Sequence, residues 1–385
     1  MSIQDRILTG HSFAKDPRVA VREFHAAVSG PDITLVIFFC SSLYDLDVLT
    51  SEMNALFPNV TVVGCTTAGE IGPAGYRDYS LTGASFPSSS CLAVAGHYDE
   101  LQQFDPIKGH DFVNNLLQQL EHQRPDTGFK NSFALMLIDG LSKREEPVVN
   151  TFQKALGNIG LFGGSAGDDQ TFQQTWIFCD GAFRTDSVVL VLINTIYPFK
   201  LFKAQHFISS QERLVVTKAD LPQRTVLEIN GLPAAEEYAR LLGTKVENLD
   251  AAQFAASPVV VRINDMDYVR AINKANPDGS LTFYCAIDKG IVLRMAHGED
   301  FIPNLEQTFA NIRAEIGPLQ FTLACDCLLR QLEMIHNGFK GAVEEIFKKN
   351  NVIGFSTYGE QFMGVHINQT ITGLAIGEQK NLPEV

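Results

Sequence analysis

The chain has 385 residues, 45% of them hydrophobic, and a formal net charge of −14. That length favours two domains over one, and the apolar share is ample for large cores. The acidic balance, without a cluster of Lys and Arg, excludes a general nucleic-acid binder, because neutralising phosphates needs such a cluster.

In chain order, a short lead-in carries one helix around Pro17 to Ser29. Its start lacks a basic segment followed by an apolar core, so no signal peptide is expected. An apolar strand signal follows (Ile33 to Cys40), then a helical pattern at Leu46, Leu49, Met53 and Leu56. A second strand signal runs from Val62 into the turn Thr67-Ala68-Gly69-Glu70, and an exposed loop is expected at Ile71 to Gly75. Cys91 to His97 reads as a strand, Asp111 to Gln123 as a helix, and Arg124 to Gly128 as a surface loop.

The same strand–helix–strand–turn order then recurs. Phe133 to Ile138 precedes a helix that Glu146-Pro147 opens and Gly157 closes, and Ser165-Ala166-Gly167-Asp168 stands where the first copy has T-x-G-E. Thr175 to Cys179 and Val188 to Ile193 read as a hairpin around Asp180-Gly181. The polar stretch Thr217 to Pro222 is the expected boundary between domains 1–220 and 221–385. Beyond it come a strand (Val226 to Ile229), a helix (Pro233 to Leu242) stopped by Gly243, and a hairpin from Tyr268 to Ala286 around Asp278-Gly279. A strand (Ile291 to Ala296) and an amphipathic helix (Pro303 to Ile316) follow.

The third copy closes the chain. Leu319 to Cys325 leads to Phe339, Val343 and Phe347, then to Val352 and the turn Thr357-Tyr358-Gly359-Glu360. Gly64, Thr67, Gly69, Glu70, Thr82 and Gly83 match Gly354, Thr357, Gly359, Glu360, Thr372 and Gly373 without a gap. A unit repeated at this scale points to one supersecondary structure used three times. The fold expected is α/β to α+β, a two-domain mixed-sheet architecture of repeated strand-helix-strand-turn units.

The longest apolar runs are about eight residues, short of the roughly 20 that span a bilayer, so no membrane insertion is expected. Seven cysteines, mostly inside apolar strand runs, suit buried thiols in a reducing cytoplasm. Cys325 and Cys327 would share one strand face; they read as core thiols, because a structural zinc site with His336 lacks a fourth ligand.

G-x-S-x-G, Walker and H-E-x-x-H motifs are absent from the sequence, so no enzyme is expected. Glu70, Glu360 and Asp168, with Thr67 and Ser165, are candidates either to bind the amino group of a small ligand or to accept hydrogen bonds from turn amides. Among nine histidines, His366 stands out, being enclosed by Phe362, Met363, Val365 and Ile367. It aligns with Tyr76 of the first copy.

The paired turns, the stretch Glu228 to Ala234 and the closing Y-G-E resemble the FIST proteins, bacterial signal-transduction modules with an N-domain and a C-domain. The resemblance spans about residues 30 to 377. Cys325-Asp326-Cys327 with Arg330, and His366 to Thr370, resemble a subgroup called NosP. The subgroup resemblance implies b-type haem and nitric oxide, with His366 on the iron and His336 as the next ligand. It also implies Arg330, Thr357, Tyr358 and Glu360 around the cofactor and a histidine kinase as partner; Arg330, Arg262 and Arg294 are equal candidates to pair with the propionates. The wider family resemblance implies a second reading, a haem-free sensor of a small metabolite such as an amino acid. A homo-oligomer is compatible with the sequence.

Overall fold

Continuous apolar runs such as Ile33–Ser41 need cover on both faces, and two such strands can lie parallel only if a crossover carries the chain back. The computed structural model, which describes residues 6–123, 131–263 and 265–378, builds this unit three times. In the first, strand Ile33–Ser41, helix Leu46–Leu56 and strand Thr61–Thr67 make a parallel pair, and strand Leu81–Pro87 returns antiparallel to Ile33–Ser41. The second uses Ser132–Ile138, helix Glu145–Leu156, Gly160–Ser165 and Val188–Thr195. The third uses Leu319–Cys327, Val352–Thr357 and Ile371–Gly377. Its crossover is two helices, Leu328–His336 and Lys340–Lys349, separated at Gly338, which lies in the left-handed region.

Between the second and last strand of each copy lies a short hairpin, and each hairpin pairs with a different copy. Glu70–Gly72 joins Val352–Thr357, Glu360–Phe362 joins Gly160–Ser165, and Ile177–Cys179 joins Thr61–Thr67. Copy one therefore completes the sheet of copy three, three completes two, and two completes one. The copies close into a ring in which no sheet is finished by its own chain segment.

This closure needs backbones in close contact. A Cβ on Gly64, Gly163 or Gly354 would lie 2.5, 1.9 or 1.8 Å from the carbonyl oxygen of Phe38, Met136 or Ala324. These glycines sit within strands rather than in turns, at the same register position in all three copies.

The chain forms two compact units. One holds the ring and comprises residues up to Lys203, Glu306–Val365 and the chain from Ile371 onward; the other comprises Ala204–Leu305 with His366–Thr370. The second unit is antiparallel. Its long strand Phe207–Asp220 bends through a register shift between Ser209 and Arg213 and pairs with both Val292–Gly298 and Thr225–Ile229. The Thr217–Pro222 stretch is the end of that strand and its turn. Helix Ala234–Leu242 ends at Gly243, in the left-handed region, and covers this sheet with Tyr238 and Ala235.

Two local expectations change. The Asp180-Gly181 turn does make a hairpin, but its second arm is Ala182–Arg184. Val188–Thr195, buried along its whole length, pairs instead with Cys91–Tyr98 and Ser132–Ile138 in the middle of a sheet. In the second unit, Ile272–Ala275 pairs with Leu281–Phe283 around Asp278-Gly279 as expected, whereas Met266–Arg270 pairs with Val259–Ile263. The expected loop at Arg124 to Gly128 lies outside the described residues. The seven cysteines are buried thiols and form no disulfide. Among the described residues, no helix is long and apolar enough to cross a membrane.

Candidate functional site

Parallel strands end together, and in open α/β sheets the carboxyl ends are where ligands bind. Here Ser41, Thr67, Asp139, Ser165, Cys327 and Thr357 mark those ends in the three copies. The turns that follow are tied together by backbone bonds. Ala68 N donates to Ser356 O (3.0 Å), Tyr358 N to Ser165 O (3.3 Å) and Gly167 N to Thr66 O (3.0 Å).

The first and third turns are sealed. Thr67 Oγ1 donates to Glu70 Oε1 at 2.5 Å and accepts from Gly69 N at 3.2 Å; Thr357, Glu360 and Gly359 repeat both bonds at the same distances. Glu70 Oε2 also accepts from Ser80 N and Ser80 Oγ, at 3.0 and 2.6 Å. Thr67, Glu70, Thr357 and Glu360 are fully buried. Burial pushes the Glu70 carboxyl up to about 8, against the hydrogen bonds from Ser80 and Thr67, which pull it down. These two glutamates hold their own turns.

The second turn differs in a way the sequence match obscured. Register places Ser165 level with Thr66 and Ser356, not with Thr67 and Thr357. The place of Glu70 and Glu360 at the start of the hairpin belongs to Ile177. Four positions separate Thr66 from Glu70 and Ser356 from Glu360, whereas twelve separate Ser165 from Ile177. The surplus forms a loop, organised by Asp168. Its carboxylate accepts from Thr171 Oγ1 (2.6 Å), from the amides of Phe172, Gln173 and Gln174 (2.8, 2.6 and 2.8 Å) and from Tyr358 Oη. Burial alone would raise this acid; the hydrogen bonds outweigh burial and hold it below the ordinary value. Ser165 Oγ accepts from Gln361 Nε2 at 2.9 Å.

The loop is backbone-strained. Asp169, Gln170 and Phe172 all have positive φ, as do Lys143 and Asp186 nearby. Non-glycine residues held there cost energy that surrounding structure must offset, and such residues cluster at binding sites. Asp169 is fixed by Ser41 Oγ (2.9 Å), Ser42 N (3.0 Å) and Ser42 Oγ (2.8 Å), and half-exposed Phe172 stacks on Tyr358 with centroids 4.4 Å apart. Beside the loop opens a cavity of about 330 Å³ lined by Gln102, Asp139, Ser142, Gln173, Gln174, Thr185 and Asp186, among others. Asp139 takes bonds from Thr175 Oγ1 (2.5 Å) and Asp186 N (2.6 Å), and Gln102 Nε2 reaches Ser142 O (2.7 Å). Two carboxylates among amides and hydroxyls suit a small polar ligand with a cationic amino group. The sequence reading missed Gln102, Asp139 and Asp186, which lie far apart in the chain and form no motif.

The side chains expected around haem go to separate places. Arg330 is buried on Asp326 (Nε to Oδ1, 2.7 Å), whose other oxygen accepts from Tyr76 Oη. Asp326 lies at the end of strand Leu319–Cys327 and Arg330 in the first turn of the helix that follows, so the strand-to-helix junction brings the pair together. Burial pushes the Asp326 carboxyl up while Arg330 and Tyr76 oppose it. His336 is exposed at the end of helix Leu328–His336, on a different face from Arg330. His366 is 2% exposed, and its carbonyl accepts from Arg270 Nη1. Tyr358 is engaged by Asp168, and Thr357 and Glu360 by each other.

Comparison with known families gives two matches. The FIST N domain model matches residues 34–232, and the FIST C domain model matches residues 234–363. No curated protein matches the chain.

Proposed function

We propose, from the premise that this chain belongs to the FIST family, that it is a sensor of a small amino-bearing metabolite, bound beside the Asp168–Thr175 loop. A sensory signal-transduction role with small-ligand binding is what the FIST domains indicate. The observation that carries the finer reading is the open second turn. At that turn the ring's closed architecture gives way to a strained loop and a polar cavity at the strand ends. Asp186 and Asp139 would meet the ammonium group, and Gln102, Gln173 and Gln174 would meet the ligand's polar atoms. The acids first considered, Glu70 and Asp168, set the turns and the loop that frame this cavity.

The second reading is b-type haem with nitric oxide, ligated by His366 or His336 in the cytoplasm. It rests on the subgroup resemblance and on one observation. At the hairpin position where the first copy has Tyr76 and the second has Phe183, the third has an imidazole. In either reading the signal passes to a separate histidine kinase, as the subgroup resemblance implies.

One set of measurements separates the readings. Thermal unfolding is followed with a panel of amino acids, and absorption spectra are taken after haem reconstitution. A melting temperature that rises with an amino acid in the wild type, and not in Asp186→Asn, supports the metabolite reading. A Soret band that moves with nitric oxide and weakens in His366→Ala supports the haem reading. If no amino acid stabilises the protein, the metabolite reading falls. Kinase autophosphorylation unchanged by the loaded or unloaded protein removes the proposed partner.

A further inference from the structure

Away from the strand ends, at the tip of the second copy's hairpin, three side chains of metal-binding type converge. His97 lies near the end of strand Cys91–Tyr98, while Cys179 and Asp180 lie at the turn between Ile177–Cys179 and Ala182–Arg184. One ligand atom from each falls within 4.8 Å of the others, the one group of this kind among the described residues. We propose that His97, Cys179 and Asp180 form a zinc site with Asp99 as its outer carboxylate.

Four observations support the assignment. His97 Nδ1 lies 3.0 Å from Asp180 Oδ2, close to the roughly 3.3 Å edge of a tetrahedron with zinc–ligand bonds of about 2.0–2.1 Å. The other ring nitrogen, Nε2, faces Asp99 Oδ2 at 3.3 Å. A carboxylate on the far side of the imidazole is the usual partner of a zinc-bound histidine, because it fixes the tautomer and ring plane. Arg184 Nη1, 3.4 Å from Asp99 Oδ2, holds that carboxylate. The turn is also set in advance: Asp180 and Gly181 both have positive φ, the pattern of a tight hairpin turn, and Asn54 Nδ2 donates to Gly181 O at 2.9 Å.

A thiolate, an imidazole and a carboxylate select zinc over calcium or magnesium, which take oxygen ligands. Binding ionises Cys179, whose proton leaves to solvent, so thiolate and carboxylate together balance the two charges of the ion. Three protein ligands leave one position for water or another ligand. Cys179 is buried, whereas the Asp180 side chain is 65% exposed and gives the ion its way in.

Cobalt is the optical probe. The chelator-stripped full chain is titrated with Co²⁺, and Zn²⁺ is then added in competition. The wild type is expected to develop a sulfur-to-cobalt charge-transfer band, saturating at one equivalent and erased by zinc. Cys179→Ser abolishes the band, and His97→Gln and Asp180→Asn each weaken cobalt binding at least tenfold. Asp99→Asn, acting through His97, weakens binding by about tenfold or more. Should Cys179→Ser fail to fold, exposed Asp180→Asn and part-exposed His97→Gln decide the question, with circular dichroism confirming their folds. Absence of the band in the wild type under excess cobalt overturns the site. So does a band of unchanged affinity in His97→Gln and Asp180→Asn, which would leave His97 as a bridge between two carboxylates only.

Discussion

Two of the three turns at the strand ends are sealed and one is open. In the sealed turns a buried glutamate spans from a threonine to the start of the hairpin, as in Thr67–Glu70 and Thr357–Glu360. In the open one Ile177 takes the glutamate's place, and the chain spends its extra residues on a loop pinned by Asp168. The same scaffold thus supports closed ends and an open one, and the choice turns on what fills one position and how many residues precede it. A buried glutamate bonded to its own turn is a clasp. The loop with positive-φ residues beside a polar cavity is where the proposed ligand would sit.

The largest expected effect tests what the three copies share. Gly354→Val and Gly163→Val both drive a side chain into the carbonyl of the neighbouring strand. Both are expected to leave no cooperative thermal transition by circular dichroism, whether the copy's turn is sealed or open. Folding of Gly163→Val but not Gly354→Val would mean that the open copy is loosely built and that the ring does not depend on it.

The next effect belongs to a sealed turn alone. The folded-state value of Glu70, about 8, lies above its ordinary 4.5. Its contribution to stability is therefore fully present below pH 4.5, is lost as pH rises through 8, and is constant above. Urea unfolding of the wild type is expected to lose up to several kcal/mol across that window through this group. Glu70→Gln, which keeps the shape and the hydrogen bonds of the protonated acid, should flatten that part of the profile. Parallel profiles for wild type and variant would show that Glu70 is ionised in the fold.

Asp168 sits on the other side of the comparison, held below its ordinary value, so it supports the fold as a carboxylate. Asp168→Ala leaves the amides of Phe172, Gln173 and Gln174 without their acceptor and is expected to cost about 2–3 kcal/mol. It should also increase amide exchange in the loop. Asp168→Asn is expected to recover only part of this loss, because its one acceptor oxygen leaves the NH2 group facing amide donors; full recovery would show that one oxygen suffices to hold the loop. The smallest effect is that of Phe172→Ala, which removes a half-exposed ring from Tyr358. A change under about 1 kcal/mol is expected in chemical denaturation, with a larger proportional change in ligand affinity.

Much of this was legible in residue order. Ile33–Ser41, Ser132–Ile138 and Leu319–Cys327 announce themselves as strands because apolar runs of that length must be buried on both faces. Gly157 and Gly243 end helices as expected, for they alone adopt the required backbone without strain. The threefold repeat itself is a sequence property, since each unit needs the same local signals to form.

What the tertiary structure decided is which copy each hairpin completes, because strand pairing is a choice among distant partners that local propensity does not encode. It also moved the second copy's turn by one register position, since aligning Ser165-Ala166-Gly167-Asp168 with T-x-G-E ignores the loop that follows. The cavity residues Gln102, Asp139 and Asp186, and the cluster of His97 with Cys179 and Asp180, meet only when sheets from different parts of the chain pack together. Residues far apart in sequence carry no spacing signal, so their chemistry becomes visible only once closure of the ring has set their distances.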